Sequence, residues 1–393
     1  MRLLQINTAA GRGVAGGIPE AIGSMAAARG IDARMAVGRP NGRSASQLLR
    51  IGSRADILTH VAATRIADRH GLHSRAATRR FVRRAEELCP DVVHLHNIHG
   101  YYLHLPTLFD WLRGSGVPVV WTLHDCWPLT GHCAFFNAAG CTRWQQECHH
   151  CPLLRDYPAS LLLDRSRQNH ALKRRLFTSL PDLTLVCVGS WLDSIVAQSY
   201  LRDVPRTVIP NGVDTDVFAP CAPKAPADSP LLLGVAAHWE ARKGLDTFVR
   251  LRRELPAHWR MRLVGLDSRR LRSLPPGIEG LGRIDSERAL AAHYSEATVF
   301  VNPSSAECNN ITKMEALACG TPVVAYDAGG AGEGIGPEAG HVCRAGCFDD
   351  LCSAIAESAS GRLRPEACRD TALRLFDMRR NLEAYFTLYA SLL

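Results

Sequence analysis

The chain has 393 residues, 46% hydrophobic and 21% charged, which suits a globular enzyme of two domains, and no apolar run is long enough to cross a bilayer. Its formal net charge of +8 is carried mostly by arginine and favours phosphate-bearing substrates and anionic membrane surfaces. Fourteen cysteines are many for a reducing compartment; those standing alone, such as Cys187, Cys319 and Cys343, read as small buried hydrophobes.

The apolar burst at Met1–Asn7 runs straight into Gly and Arg. That is too short for a secretion signal and reads as the first buried strand of a cytoplasmic protein. From there short apolar runs alternate with stretches of helical period, the pattern of a parallel-sheet α/β fold. Strands are predicted at Arg2–Asn7, Asp32–Val37, Asp91–His96, Val117–His124 and Thr184–Gly189, with helices at Ile18–Arg29 and Arg75–Leu88. The second helix carries Arg75, Arg79, Arg80, Arg83 and Arg84 on its polar side, a solvated face with anionic lipid contact as the lesser alternative. Four prolines among alanines mark Ala219–Pro230 as a stiff linker. The alternation restarts with strands at Leu231–Ala237, Met261–Gly265, Thr298–Asn302 and Pro322–Tyr326, and Pro365–Leu393 reads as a helical tail. The expected layout is a first domain over 1–218, a linker over 219–230, a second domain over 231–375 and a terminal helix over 376–393.

Gly11-Arg12-Gly13-Val14-Ala15-Gly16 is a formal G-x-G-x-x-G after a strand, but it starts four residues late, and Asp32 opens the next strand where a dinucleotide site needs an acid closing it. A dehydrogenase is therefore a weak alternative. What survives is Gly16-Gly17 leading into a helix, where bare amides and the helix dipole can meet an anion. In the second half, Arg242 and Lys243 follow a strand and precede a helix, well placed to neutralise a diphosphate leaving group. Asn302-Pro303-Ser304 leads to Glu307, and Asn310, Ile311 and Thr312 open a helix that carries Glu315. Amides at that helix start can take phosphate oxygens, while the carboxylates bind hydroxyls of a sugar and a ribose.

Cys133, Cys141, Cys148 and Cys151, with His132, His149 and His150 beside them, fall within nineteen residues of a segment spanning about 126–152. Their types suit a structural zinc knuckle, although the spacing is irregular.

Asn302-Pro303-Ser304, Glu307 with Glu315, and Glu315–Ala325 resemble the donor site of glycosyltransferase family 4. Ile209–Asp214, Arg242–Asp246 and Gly282-Arg283 are also similar to that family, so the resemblance spans nearly the whole chain. Cys308-Asn309-Asn310 departs from it, since the family usually places an aromatic residue and Gly after its first Glu. His94–Tyr102 and Trp121–Cys133 resemble a narrower group, transferases of exopolysaccharide assembly such as the colanic-acid type.

The resemblance implies a GT-B fold of two Rossmann-like domains facing a cleft, with the terminal helix crossing back to the first. It also implies retention of configuration, a nucleotide-sugar donor and a saccharide or polyprenyl-linked acceptor. His124, with Asp125 beside it, would lie next to the reacting sugar, and Arg283 would join the donor site. Asp214-Thr215-Asp216 imitates the metal signature of the other major glycosyltransferase fold, but it follows Pro210-Asn211-Gly212 and reads as turn chemistry. No catalytic metal and no nucleic-acid partner are expected. The location expected is cytoplasmic, peripheral at the inner face of the plasma membrane. The rival readings are a nucleotide-sugar epimerase on the same scaffold and a non-catalytic binder of nucleic acid or membrane.

Overall fold

The computed structural model describes residues 1–11, 16–39 and 44–393. The chain forms two compact units, Met1–Ile209 with Leu382–Leu393, and Pro210–Asn381.

The first unit runs β1 (Arg2–Ala9), α1 (Gly17–Ala28), β2 (Asp32–Arg39), β3 (Gln47–Arg50), α2 (Arg54–Ala67), α3 (Arg75–Leu88), β4 (Val92–Leu95), α4 (Leu105–Ser115), β5 (Val119–Leu123), α5 (Ser166–Phe177), β6 (Leu183–Cys187), α6 (Ser190–Val196) and β7 (Arg206–Val208). Its described strands make one parallel sheet in the order β3-β2-β1-β4-β5-β6-β7. Both β3 and α2 lie outside the elements predicted from periodicity. The second unit runs β8 (Leu231–Val235), α7 (Leu245–Glu254), β9 (Arg260–Val264), α8 (Ser268–Ser273), β10 (Glu279–Leu281), α9 (Glu287–Glu296), β11 (Val299–Asn302), α10 (Ile311–Ala318), β12 (Val323–Tyr326), β13 (Gly340–Cys343), α11 (Phe348–Ser358) and α12 (Pro365–Leu375). Its sheet, also parallel, has the order β10-β9-β8-β11-β12-β13. The last helix, α13 (Met378–Ser391), starts in the second unit and ends in the first.

Strand alternation sorts the second core into two layers. Leu232, Val299, Val301 and Val324 face one side, with Phe248, Leu251, Leu351 and Ile355 from α7 and α11. Leu231, Leu233, Phe300 and Val323 face the other, with Tyr294, Met314, Leu317 and Cys368 from α9, α10 and α12. Helices therefore cover both faces of a sheet whose strands are apolar throughout, as parallel pairing requires. The strand order reverses at β1/β4 in one unit and at β8/β11 in the other, and loops leaving the carboxyl ends of strands at such a point form a crevice for ligands.

Two details differ from expectation. Ala219–Pro230 is no free linker but part of the second unit: Lys224 donates to Ala297 O (3.0 Å) and Thr321 Oγ1, and the Ala225 amide to Glu296 O (2.8 Å). The tail is two helices, because Asp377 caps α13 by accepting from the Arg380 amide (2.9 Å) and also takes the Thr215 hydroxyl (2.7 Å). Among the described residues no helix is long and apolar enough to cross a membrane.

Within the first unit, Tyr389 and Tyr385 of α13 are buried, bonding His94 Nδ1 (2.7 Å) and the Thr122 hydroxyl (3.1 Å). Tyr389→Ala should destabilise this unit by about 3–5 kcal/mol through the cavity, and Tyr389→Phe by about 1–2 kcal/mol through the lost hydrogen bond. Urea unfolding checks both, and an alanine variant as stable as the parent would show that α13 is not docked.

Candidate active site

In the second unit the loop after β8 makes a 3₁₀ turn at Ala241–Lys243 and ends on Gly244, whose φ of +72° places its Cα against Pro303 O. A Cβ there would sit 2.6 Å from that oxygen, so only glycine lets the loops after β8 and β11 meet. The Ser305 amide donates to Arg242 O (2.8 Å), which stitches them.

Glu307 is nearly buried and lies between both cations. Lys243 Nζ donates to its Oε1, and Arg242 Nη1 is 3.4 Å from its Oε2. Arg242 is oriented further by Glu240 (2.9 Å) and Ala306 O (3.0 Å). The main chain of Glu307 also bridges to the loop after β12, its amide donating to Ala328 O (3.1 Å) and its carbonyl accepting from Gly330 (2.8 Å).

Asn310 caps α10, accepting from the Lys313 amide (3.2 Å) and the Thr312 hydroxyl. That leaves Ile311 and Thr312 in the first turn, where helix amides point outward. Glu315 stands on the second turn with its carboxyl enclosed. Burial pushes its pKa up to about 7, although Tyr294 donates to its Oε2 (2.7 Å) and opposes the rise. Two residues absent from the sequence reading complete this site. One is Tyr294. The other is Lys313, a fully buried ammonium that donates to Gly330 O (2.8 Å), Ala331 O (3.1 Å) and Glu333 O, with its pKa brought down to about 8 by burial. Arg283 is exposed and paired with Asp285 (2.8 Å).

In the first unit Gly16 caps α1, and a Cβ on it would lie 2.2 Å from Gly11 O, whereas Gly17 opens onto free space. Arg12–Ala15 of the glycine motif lie outside the described residues. His124, just past β5, joins a buried relay whose direction can be assigned. Gln5 Nε2 donates to Pro19 O (3.0 Å), so its Oε1 accepts from His96 Nε2 (3.1 Å). In the neutral ring His96 Nδ1 then accepts from His124 Nε2 (3.2 Å). Burial holds both rings neutral, His124 down to about 4 and His96 well below its usual range. His124 Nδ1 is left as an acceptor. Beside it Asp125 accepts the Trp127 amide (2.9 Å) and lies 2.9 Å from His99 Nε2, while His99 Nδ1 meets the Tyr157 hydroxyl at 2.9 Å. Burial works against the Asp125 charge, but His99 and the amide hold its pKa below the usual value.

Cys133, Cys141, Cys148 and Cys151 line one small cavity with Trp144 and Phe136. Cys133 donates to Cys151, bringing the Cys151 thiol down to about 7 and pushing Cys133 up, while the Gly131 amide donates to Cys148 Sγ (3.2 Å). Among the described residues no group of three or more His, Cys, Asp or Glu side chains is placed to hold a metal ion as the side chains stand. Asp214 of the Asp-x-Asp accepts the Asp216 amide (3.0 Å), a turn as expected.

Two parallel-sheet units, one with paired cations and carboxylates at its switch point, define a GT-B transferase. The model for glycosyltransferase family 4 matches residues 21–217, and that for glycosyl transferases group 1 matches residues 229–360. The chain belongs to glycosyltransferase family 4 and is a sugar-transferring enzyme. It is 26% identical over 348 residues, 83% of each chain, to a protein of Escherichia coli K12 named as the colanic acid biosynthesis glycosyl transferase WcaC. It is 31% identical over 255 residues to the lipopolysaccharide core biosynthesis mannosyltransferase LpcC of Rhizobium leguminosarum, covering 56% of this chain and 71% of that one. Among solved structures it resembles sucrose-phosphate synthase from Thermosynechococcus elongatus (TM-score 0.73, 18% identity, covering 100% and 99% of the two chains). It likewise resembles Anabaena Alr3699/HepE in complex with UDP (TM-score 0.68, 15% identity, full cover of both).

The raised pKa of Glu315 makes a stability prediction. Between its ordinary value of 4.5 and about 7 the folded state holds a proton that the unfolded chain has lost, so stability falls as pH rises through that window. Glu315→Gln stays neutral and keeps an acceptor for Tyr294. It should gain on the order of 3 kcal/mol over the parent above pH 7 and little below 4.5. Urea melts at the two extremes test this, and a gain independent of pH would show an ordinary carboxylate.

Proposed function

We propose that the chain transfers a sugar, with retention of configuration, from a nucleotide diphosphate sugar to a saccharide or lipid-linked saccharide acceptor in cell-surface polysaccharide assembly. The observation that carries this is the convergence of Arg242, Lys243 and Glu307 at the carboxyl ends of β8 and β11, one strand connection from the α10 amides and Glu315. The names of the colanic acid and lipopolysaccharide relatives support the polysaccharide setting, and the UDP complex of a structural neighbour supports the donor class.

In this reading the diphosphate takes Arg242, Lys243 and the amides of Ile311 and Thr312, and Glu315 accepts the ribose hydroxyls. Cleavage of the anomeric C–O bond places negative charge on the diphosphate, where the two cations stabilise it without a divalent metal. Glu307, released from the cations, turns to the sugar hydroxyls. The leaving phosphate oxygen takes the acceptor's proton on the face it departs from, which retains configuration. His124, neutral and with Nδ1 free to accept, binds a hydroxyl and is not an acid at neutral pH.

Thermal stabilisation against a panel of UDP-, GDP-, ADP- and dTDP-sugars tests the donor site, because a ligand of the native state raises the melting point. One nucleotide class should stabilise the chain, and Glu315→Ala should abolish that shift. Stabilisation by none would reject the reading. Lys243→Ala should lower kcat/KM by roughly two to three orders of magnitude with the fold intact. Turnover near that of the parent would remove Lys243 from its role.

A further inference from the structure

We propose that the outer face of α2 and the Leu161–Leu163 loop dock the first unit on an anionic lipid bilayer. The proposal deepens the reading of a lipid-linked acceptor, and rests on it for its purpose.

The helix α2 is turned the wrong way round for a globular protein. Its buried residues are His60 and Thr64, while Leu58 is 69% and Ile66 54% exposed. Leu58, Ala62 and Ile66 recur every four residues and form one outward stripe about 12 Å long. The stripe continues past the end of the helix. The Leu161 amide donates to Arg65 O (2.7 Å), which sets Leu161, Leu162 and Leu163 there, 50%, 71% and 52% exposed. Scattered single apolar residues need no explanation, but five large ones gathered on one surface mark a binding face.

Charge selects the partner. From Arg54 to Arg84, eight arginines stand against two aspartates, and all eight are exposed. Of the two acids, Asp68 is buried on His132 (2.6 Å), and Asp56 is spent on the Ser53 cap (2.8 Å) with Arg80 4.0 Å away. By the loop, Asp164 accepts the Cys151 and Ser166 amides (2.7 and 2.8 Å), and in sequence Asp156 is outnumbered by Arg155 and Arg165. Exposed apolar residues with exposed arginines on the same helix and on the helix that follows fit a layer that offers hydrocarbon beneath phosphate. A second copy fits poorly, since a two-fold contact would bring this excess of arginine against itself. The surface also adjoins the candidate acceptor side, because Tyr157, four residues before the loop, holds His99 against Asp125.

Flotation of the full chain with vesicles containing phosphatidylglycerol, and with vesicles of phosphatidylcholine alone, tests the proposal. Partition onto the anionic vesicles should be roughly tenfold stronger or more, and should fall by a similar factor at high salt. Leu162→Asp with Leu163→Asp should lose roughly tenfold or more, and Leu58→Asp is the second variant should that pair fail to fold. Absence of binding to anionic vesicles overturns the proposal, and so does undiminished binding by a folded variant. A stable dimer in light scattering that the same variant dissociates also overturns it, assigning the surface to a second copy. Donor-induced thermal stabilisation is read on the same samples. Its loss with vesicle binding intact sinks the transferase reading alone, and the reverse result sinks the docking surface alone.

Discussion

A carboxylate held between two cations organises the second unit. Glu307 is nearly buried, and its main chain is bonded on both sides to the Ala328–Gly330 segment, so its charge has a fixed address. Lys243 and Arg242, on the neighbouring loop, are drawn to it and thereby aimed. Removing one partner of such a group leaves an uncompensated charge, which costs far more than the pair returns. The loops after β8, β11 and β12 therefore behave as one piece. For the proposed transfer the consequence would be preorganisation: the cations stand oriented and partly desolvated by Glu307, so little reorganisation would remain for the reaction itself. In the proposed reaction a diphosphate would compete with Glu307 for the same two cations and free the carboxylate for sugar hydroxyls.

Much of this was legible in the sequence, and the limit is physical. Apolar runs gave the inner strands of both sheets, because parallel strands buried on two faces are apolar without interruption, whereas the partly exposed edge strands β3, β7, β10 and β13 carry no such run. Arg242, Lys243, Glu307 and Asn310 could be read because each sits at a strand end or a helix start, where local chemistry marks it. Tyr294 and Lys313 could not. Tyr294 meets Glu315 from another helix, and Lys313 looks like a surface lysine until the Gly330–Glu333 carbonyls close over it. Gln5 and His96 are 91 positions apart, and only the pairing of β1 with β4 makes them neighbours. Arg283 was readable from its motif, and its side chain is exposed and paired with Asp285.

The first unit uses burial where the second uses charge. His94, His96 and His124 form a file in which desolvation keeps every ring neutral. A chain of neutral imidazoles has a direction, and here Gln5 sets it, its amide being anchored on the first turn of α1. The same turn begins with Gly16 and Gly17, so the start of α1 and the accepting nitrogen of His124 are positioned by one small network. Burial holds His124 neutral, which leaves its Nδ1 as a hydrogen-bond acceptor.

The reversed helix α2 follows from that same polar interior. His60 must face inward because Ser74, which opens α3, meets its Nδ1 at 2.9 Å and the Gly71 amide donates to its Nε2 at 3.0 Å. Asp68, in the left-handed conformation at the helix end, must do so because it holds His132 and the Arg165 amide. With the inner side committed to these polar bonds, Leu58 and Ile66 have nowhere to go but outward. This explains why apolar periodicity, which assumes that the hydrophobic stripe marks the core, passes over the helix. A fold that spends a helix's inner face on hydrogen bonds gives up its share of hydrophobic stabilisation there, about 1.5–3 kcal/mol for each large side chain left in water. Replacing Leu58 and Ile66 by polar residues would spare the isolated unit that exposure, so their presence points to a surface where they are covered.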